Sequence, residues 1–140
     1  MGFKRGDVHL VNFNPSKGTE AGKIRPAVIL QSNYLNDVEH PSTIVIPLTT
    51  QIIVKTNPLR LTITTRDKLQ QDSDIMIDQP RAIDNQRITS EKLTSLSELE
   101  LATLEEYMKI ILGFDEYKKF LASLDVTQWN RWAAQQYTAP

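Results

Sequence analysis

The sequence predicts an α+β fold, in which a compact β barrel or sandwich is followed by helices. Two observations support this. Short strand-like runs separated by loop residues fill the first two-thirds of the chain, and apolar residues at helical spacing begin abruptly near residue 97. With 140 residues the chain has the length of one ordinary domain and can bury a core of its own.

Five segments have the character of β-strands. Residues 7–13 are rich in strand-forming side chains, and the consecutive apolar residues of 26–31 are typical of a strand buried on both faces. The segment 43–48 is also apolar, while 59–64 and 74–79 alternate apolar and polar residues as half-buried strands do. Five strands of this length are enough for a small barrel.

Three details between and within these segments carry further predictions. Pro47 cannot donate a ladder hydrogen bond, which predicts a sheet edge or a bulge there. Residues 14–25 contain proline and glycine punctuation and are predicted to be a loop. Asp72 and Asp74 resemble the start of a calcium loop, but the required glycine and glutamate do not follow, so we expect solvated turn residues.

The helical part begins with a recognisable start signal. Ser97 and Glu100 have the S-x-x-E spacing of a capping box, and apolar residues then recur at helical spacing up to Gly113, a C-cap residue. Aromatic residues further on predict additional helical segments that pack on the same domain. We therefore divide the chain into a domain at 1–113 and a helical C-terminal extension at 114–140.

Composition excludes several kinds of site. There is no cysteine for a disulfide or a thiolate metal site, and His9 and His40 lack the spacing of metal ligands, so we expect no metal and no cofactor. His9, inside a strand, is expected to be structural. The formal net charge is −1, so a nucleic-acid site would have to rest on a local cluster of cations. Without a signal-like start or a long apolar run, the expected location is the cytoplasm, with no membrane contact.

One polar loop remains as a candidate site. It runs from Gly18 to Pro26 and carries Glu20, Lys23 and Arg25. From the residues alone this loop is either a solvated hairpin or a site for an anionic substrate, and composition does not decide between them.

Three blocks of sequence resemble the MazF/PemK (Kid-type) toxin family. The first is R-G-D-V-H-L-V-N-F-N-P at 5–15 followed by G-T-E-A-G-K-I-R-P-A-V-I-L at 18–30. The second is I-V-I-P-L-T-T-Q at 44–51, and the third is I-D-Q-P-R-A-I-D at 77–84. The blocks occur in order with family-like spacing, and the resemblance covers roughly residues 5–113.

The resemblance implies an SH3-like β barrel of the CcdB/PemK type with a C-terminal helix. It also implies a homodimer that cleaves single-stranded RNA (mRNA) at specific sequences without a metal, and a MazE-like antitoxin as its partner. Three alternatives stay open: a gyrase poison on the same fold, a catalytically silent RNA-binding regulator, and an SH3-like interaction module.

The resemblance also assigns residues. It implies that Arg25 and Thr49 are catalytic. The implied substrate-binding residues are Glu20, Thr50, Gln51, Asp78, Gln79 and Arg81. The chain departs from the family pattern at Ala21, where many members have glutamine, and at Met76, where some PemK-type members have a catalytic arginine. We therefore expect the Arg/Thr version of the chemistry.

Overall fold

The computed structural model describes residues 2–15, 17–19 and 23–114. Within these residues the chain forms seven strands, two α-helices and one 3-10 turn. In chain order they are β1 (Asp7–Asn12), β2 (Ile24–Ile29), α1 (Asn33–Asp37), β3 (Ser42–Thr49), β4 (Arg60–Ile63), β5 (Ser73–Met76), β6 (Arg81–Asp84), the 3-10 turn (Asn85–Arg87), β7 (Ile88–Ser95) and α2 (Glu98–Ile111). The helical extension predicted for 114–140 lies, beyond Phe114, outside the described residues.

The strands form one curled antiparallel sheet. Its order is β4-β5-β3-β2-β1-β7, and β6 pairs with β3 on the same edge of β3 as β5. Among the described strands no pairing joins β4 to β7, so the barrel is open. A barrel-like sheet followed by a helix agrees with the α+β prediction.

The sheet carries a hydrophobic cluster on each face. The first includes Val8, Val28, Ile46 and Ile75, together with Leu104 and Met108 of α2. The second includes Val11, Phe13, Ala27, Val45 and Ile83. Each fully buried valine, isoleucine, leucine or phenylalanine side chain among them contributes about 1.5–3 kcal/mol. Helix α2 therefore covers the face of the sheet that carries the first cluster.

Helix α2 begins and ends where the sequence predicts. The Ser97 hydroxyl accepts from the Glu100 amide at 3.1 Å, the Glu100 carboxylate accepts from the Ser97 amide at 2.8 Å, and Gly113 follows the helix with a φ of 79°. The Arg66 guanidinium also donates to Glu100 at 2.6 and 2.9 Å. Burial would raise the pKa of Glu100, but the bonds from Arg66 and Ser97 outweigh it and hold that pKa below its ordinary value. No helix in the described ranges is long and apolar enough to cross a membrane.

Strand β2 begins two residues earlier than predicted. Ile24 pairs with Asn12, and Arg25 pairs with Val11. The chain reverses at Lys23, whose φ of 70° is left-handed, so the loop ends there. Arg25 therefore projects from a paired strand, and the prediction that it belongs to a loop was wrong.

Pro47 lies inside the sheet, so of the two predicted alternatives, a sheet edge or a bulge, the sheet edge is wrong. Strand β3 pairs with β2 on one side; on the other, residues 42–45 pair with β6 and residues 48–49 pair with β5. Pro47 occupies the interval between those two pairings. Its missing N–H is tolerated because neither strand needs a donor there.

Asp74 is the largest departure from the sequence prediction. We expected a solvated turn and a half-buried strand, but every residue of β5 is buried and Asp74 is 0% exposed. Strand β5 lies between β3 and β4, which covers both of its edges. Asp72 is exposed as predicted, and it accepts a hydrogen bond from the Thr65 amide at 2.7 Å.

Candidate active site

Arg25 and Thr49 lie on neighbouring strands, on the face of the sheet that carries the second cluster. Ala27 on β2 pairs with Pro47 on β3, and the same antiparallel register brings Arg25 opposite Thr49 two residues further on. Because side chains alternate along a strand, Arg25 shares a face with Ala27, and Thr49 shares it with Val45. Both side chains are half-buried. The sheet itself thus brings the two predicted catalytic residues together.

A proline helps to hold the arginine in place. The Leu30 amide donates to the Ile44 carbonyl at 3.0 Å, so every second residue of β3, up to Leu48, turns its backbone groups toward β2. The ladder donor facing the Leu48 carbonyl would be the amide of residue 26, but Pro26 has no N–H. The Arg25 guanidinium donates to that carbonyl instead, at 3.4 Å. The guanidinium is therefore tied to the end of β3.

The Thr49 hydroxyl has a defined orientation. Its Oγ1 accepts from the Gln51 amide at 3.2 Å. A hydroxyl can accept and donate at once, so this contact leaves the hydroxyl hydrogen of Thr49 for donation. Thr49 can thus donate to an oxygen of a substrate held beside Arg25.

Thr50 does not join this pair. By strand alternation it faces the opposite side of the sheet from Thr49, where it lines a cleft of about 300 Å³ together with Leu10 and Pro26. The structure therefore places Thr49, and not Thr50, on the side of Arg25.

The third sequence block lies beside the same face. Asp78 and Gln79 occupy the turn between β5 and β6, where both are half-buried. The Gln79 amide group donates to the Thr19 carbonyl at 3.2 Å, which links this turn to the β1–β2 connection. The Arg81 guanidinium lies 5.5 Å from the centre of the Phe13 ring, a cation–π contact. Since Phe13 follows β1 directly, this contact draws Arg81 toward the Arg25 end of the sheet.

Sequence reasoning missed Arg87. This exposed arginine donates to the Asn14 carbonyl at 2.5 Å and to the Asn12 carbonyl at 3.4 Å. It places a third guanidinium at the end of β1, whose last residues pair with Ile24 and Arg25 of β2. In a chain with a net charge of −1, three arginines on elements that meet near the end of β1 are candidates for the local group of cations that a nucleic-acid site would need. The one sequence signal for Arg87 is its position three residues beyond the third block.

The predictions for Glu20, for His9 and for metal binding concern residues other than Arg25 and Thr49. Glu20 falls outside the residues that the structure describes. His9 is buried, with its Nδ1 2.8 Å from the Thr89 carbonyl and its ring edge-to-face with Phe3, as expected of a structural histidine. Among the described residues no group of three or more His, Asp or Glu side chains could hold a metal ion.

Comparison with known proteins gives the class of this chain, a type II toxin. The family described as PemK-like, MazF-like toxin of type II toxin–antitoxin systems matches residues 4–112, and the chain belongs to this family. It is 37% identical over 120 residues to a protein named endoribonuclease MazF from Staphylococcus epidermidis. The aligned residues cover 83% of this chain and 98% of that protein. The predicted family is confirmed.

Solved structures share the fold. MazF from Deinococcus radiodurans matches with a TM-score of 0.69 at 24% identity, covering 81% of this chain and 99% of that one. A MazE–MazF structure from the same organism matches with a TM-score of 0.63 at 21% identity, covering 82% and 99%. The predicted barrel with a C-terminal helix is thereby confirmed.

Proposed function

We propose that this chain is the toxin of a type II toxin–antitoxin pair and that it is a metal-independent endoribonuclease, which cuts single-stranded RNA at specific short sequences. The observation that carries this proposal is the placement of Arg25 opposite Thr49, in a chain whose relative at 37% identity is named an endoribonuclease. An arginine and a threonine held on one sheet face are suited to bind a phosphate.

The chemistry follows from those two groups. The ribose 2′-hydroxyl gives its proton to a base outside the Arg25/Thr49 pair as its oxygen attacks the adjacent phosphorus. The bond to the 5′-oxygen of the next nucleotide breaks, and the leaving oxygen takes a proton from the Arg25 guanidinium, which regains it from water. The intermediate phosphorane carries extra negative charge. Arg25 stabilises that charge with a planar fork of donors, and Thr49 donates to a phosphate oxygen or orients the 2′-hydroxyl. A guanidinium stays protonated at any working pH and so is a poor base, which leaves Arg25 to stabilise charge and to donate a proton.

The remaining predicted residues bind RNA around this centre. Gln51 is exposed just beyond Thr49, and the turn with Asp78 and Gln79 offers groups that can pair with base edges. Arg81 adds a cation for the backbone. The same role was predicted for Glu20 and Thr50. Thr50 receives less support from the geometry, because it faces the other side of the sheet.

A substrate with one altered sugar tests the mechanism. An RNA with a single 2′-deoxy or 2′-O-methyl ribose at the scissile position should bind nearly normally and remain uncut. The unmodified RNA should be cut in excess EDTA, leaving a 2′,3′-cyclic phosphate and a free 5′-hydroxyl. Cleavage of the 2′-deoxy RNA at the same place and rate would make water the nucleophile. The gyrase-poison alternative predicts that naked RNA survives when no gyrase is present.

The proposed partners are a second copy of the chain, a MazE-like antitoxin and mRNA, and the proposed location is the cytoplasm, where mRNA is found. Solved relatives include MazE–MazF structures from Deinococcus radiodurans and a mycobacterial endoribonuclease in complex with its cognate antitoxin. Light scattering should give about twice the 16.0 kDa chain mass. A strictly monomeric chain that stays active at high dilution would contradict the dimer.

A further inference from the structure

A buried ion pair lies beneath the loop that follows Thr49. Asp74 is 0% exposed, Arg60 is 4% exposed, and their charged groups are 3.6 Å apart. Strand pairing places Asp74 directly beside Thr49 on the neighbouring strand. A buried ion pair costs desolvation that its own attraction often fails to offset, so a buried pair is weak evidence for a purely stabilising role.

Both members of the pair hold the loop at residues 50–56. The Oδ2 atom of Asp74 accepts from the Ile53 amide at 3.0 Å, and the Arg60 guanidinium donates to the Gln51 carbonyl at 3.5 Å. The buried pair thus binds one backbone donor of the loop, the Ile53 amide, and one backbone acceptor, the Gln51 carbonyl. The path of the loop above the pair is set by buried charges.

The loop in turn fixes the Thr49 hydroxyl. The Gln51 residue whose carbonyl accepts from Arg60 also gives its amide to Thr49 Oγ1 at 3.2 Å. A shift of Gln51 would therefore move or release the group that orients the hydroxyl. The other oxygen of Asp74, Oδ1, accepts from the Thr62 hydroxyl at 2.5 Å and does not contact the loop.

We propose that Asp74 and Arg60 are positioning residues, which set the loop at 50–56 and, through Gln51, the orientation of the Thr49 hydroxyl. They do not touch RNA. This proposal rests on the endoribonuclease function proposed above. It extends that function by making the geometry of Thr49 depend on a buried charge pair beneath the loop at residues 50–56.

The first test separates turnover from stability. Asp74→Asn keeps an acceptor for Ile53 but removes the charge that holds Arg60. We expect kcat on a short single-stranded RNA to fall about 10- to 100-fold, because misplacement of a catalytic group by about 1 Å has effects of this size, while KM changes little. Thr62→Val is the matched control, since it removes a bond to the same carboxylate on the side away from the loop. It should lower Tm and leave kcat unchanged.

A double variant covers the case in which Asp74→Asn fails to fold. Replacing both partners, Asp74→Leu with Arg60→Leu, removes the unpaired charge and should restore Tm toward the wild-type value. The loop anchors are still missing, so kcat should stay low. A double variant with wild-type Tm and wild-type kcat would overturn the proposal, since the pair would then be structural only.

Amide hydrogen exchange gives a readout that does not require cleavage. In the wild type the Gln51 and Ile53 amides should be protected, and in the double variant they should lose protection while amides of α2 keep it. If the wild type cuts no RNA, the proposed nuclease function fails, but this measurement still decides the present proposal. Unchanged protection of Gln51 and Ile53 in the double variant would rule it out.

Discussion

Two ion pairs at opposite sides of the sheet show how differently this chain uses charge. Arg66 and Glu100, with side chains 25% and 22% exposed, meet at 2.6 Å and tie α2 to the barrel. Arg60 and Asp74, 4% and 0% exposed, stand 3.6 Å apart beneath the loop after Thr49. The pair with the shorter contact is the one that water can reach.

This difference in burial indicates that the two ion pairs have different roles. On the helix side, Glu100 is also half of a capping box, so its ion pair adds to a helix start that already exists. On the site side, the buried pair holds backbone groups of a loop that has little core of its own. We expect damage on the helix side to appear as lost stability, and damage on the site side as lost turnover.

The largest expected effect is on the helix side. Leu104 is fully buried where α2 meets the first cluster, so Leu104→Ala should lower the free energy of unfolding by about 3–5 kcal/mol through lost transfer energy and a residual cavity. Urea titration measures this. At temperatures where the variant is folded, its RNA cleavage rate should equal that of the wild type. A folded variant with a much lower rate would mean that the two sides are coupled.

The next effect is on the site side. Arg25→Ala should slow cleavage about 100-fold or more, which corresponds to at least about 2.7 kcal/mol of lost transition-state stabilisation. Arg25→Lys should rescue little, because an ammonium cannot reproduce the fork. Single-turnover rates with saturating RNA measure both, and Lys92→Ala, an exposed cation on β7, serves as the control. Wild-type rates in Arg25→Ala would remove this residue from the catalytic pair.

Pro26→Ala should have the opposite effect to Leu104→Ala: it should lower the cleavage rate and leave the stability of the fold unchanged. The new amide at residue 26 can donate to the Leu48 carbonyl and displace the Arg25 guanidinium from it. We expect a cleavage rate lower by about 10-fold, or about 1.4 kcal/mol, with a Tm that does not fall. Calorimetry and cleavage on the same sample check this. A lower Tm with an unchanged rate would show that the proline serves the fold alone.

The smallest effect concerns pH and the exposed ion pair. Because the folded-state pKa of Glu100 lies below its ordinary value of 4.5, its stabilising contribution is present above about pH 4.5 and is lost as pH falls through the folded value. The Tm difference between wild type and Arg66→Met should therefore shrink in acid, from an effect of no more than about 1 kcal/mol at neutral pH. Lys92→Met, which removes an exposed cation of β7 away from this pair, is the control and should show no acid-dependent difference in Tm. A difference that grows in acid would contradict the assignment.

Local signals made some of the fold predictable from the sequence. Helix α2 could be predicted because its signals are local: the capping box lies at the helix start and the periodic apolar residues lie within the helix itself. Strand β7 was not found, since most of its residues are exposed and only the pairing with β1 makes it a strand. The burial of Asp74 could not be found either, because its partners Arg60 and Ile53 come from other parts of the chain.

The candidate site divides in the same way. From the residues alone the loop before Pro26 stayed ambiguous, and only the family resemblance singled out Arg25 and Thr49. The structure adds what neither could supply, namely that strand register places them opposite each other and that the neighbouring Thr50 faces the other side. Which of two adjacent threonines faces the arginine is a question of register, and register is a long-range property.

Pro47 also favours the native strand register of β3, on which the candidate site depends. Thr49 and Thr50 are chemically identical, so a slip of β3 by one residue would present the wrong hydroxyl to Arg25 without changing the local chemistry. The same slip would turn the imide of Pro47 away from its interval between β5 and β6 and into the ladder with β2, where a donor is needed. A residue that contributes no side-chain chemistry thus favours the register in which Thr49, and not Thr50, faces Arg25.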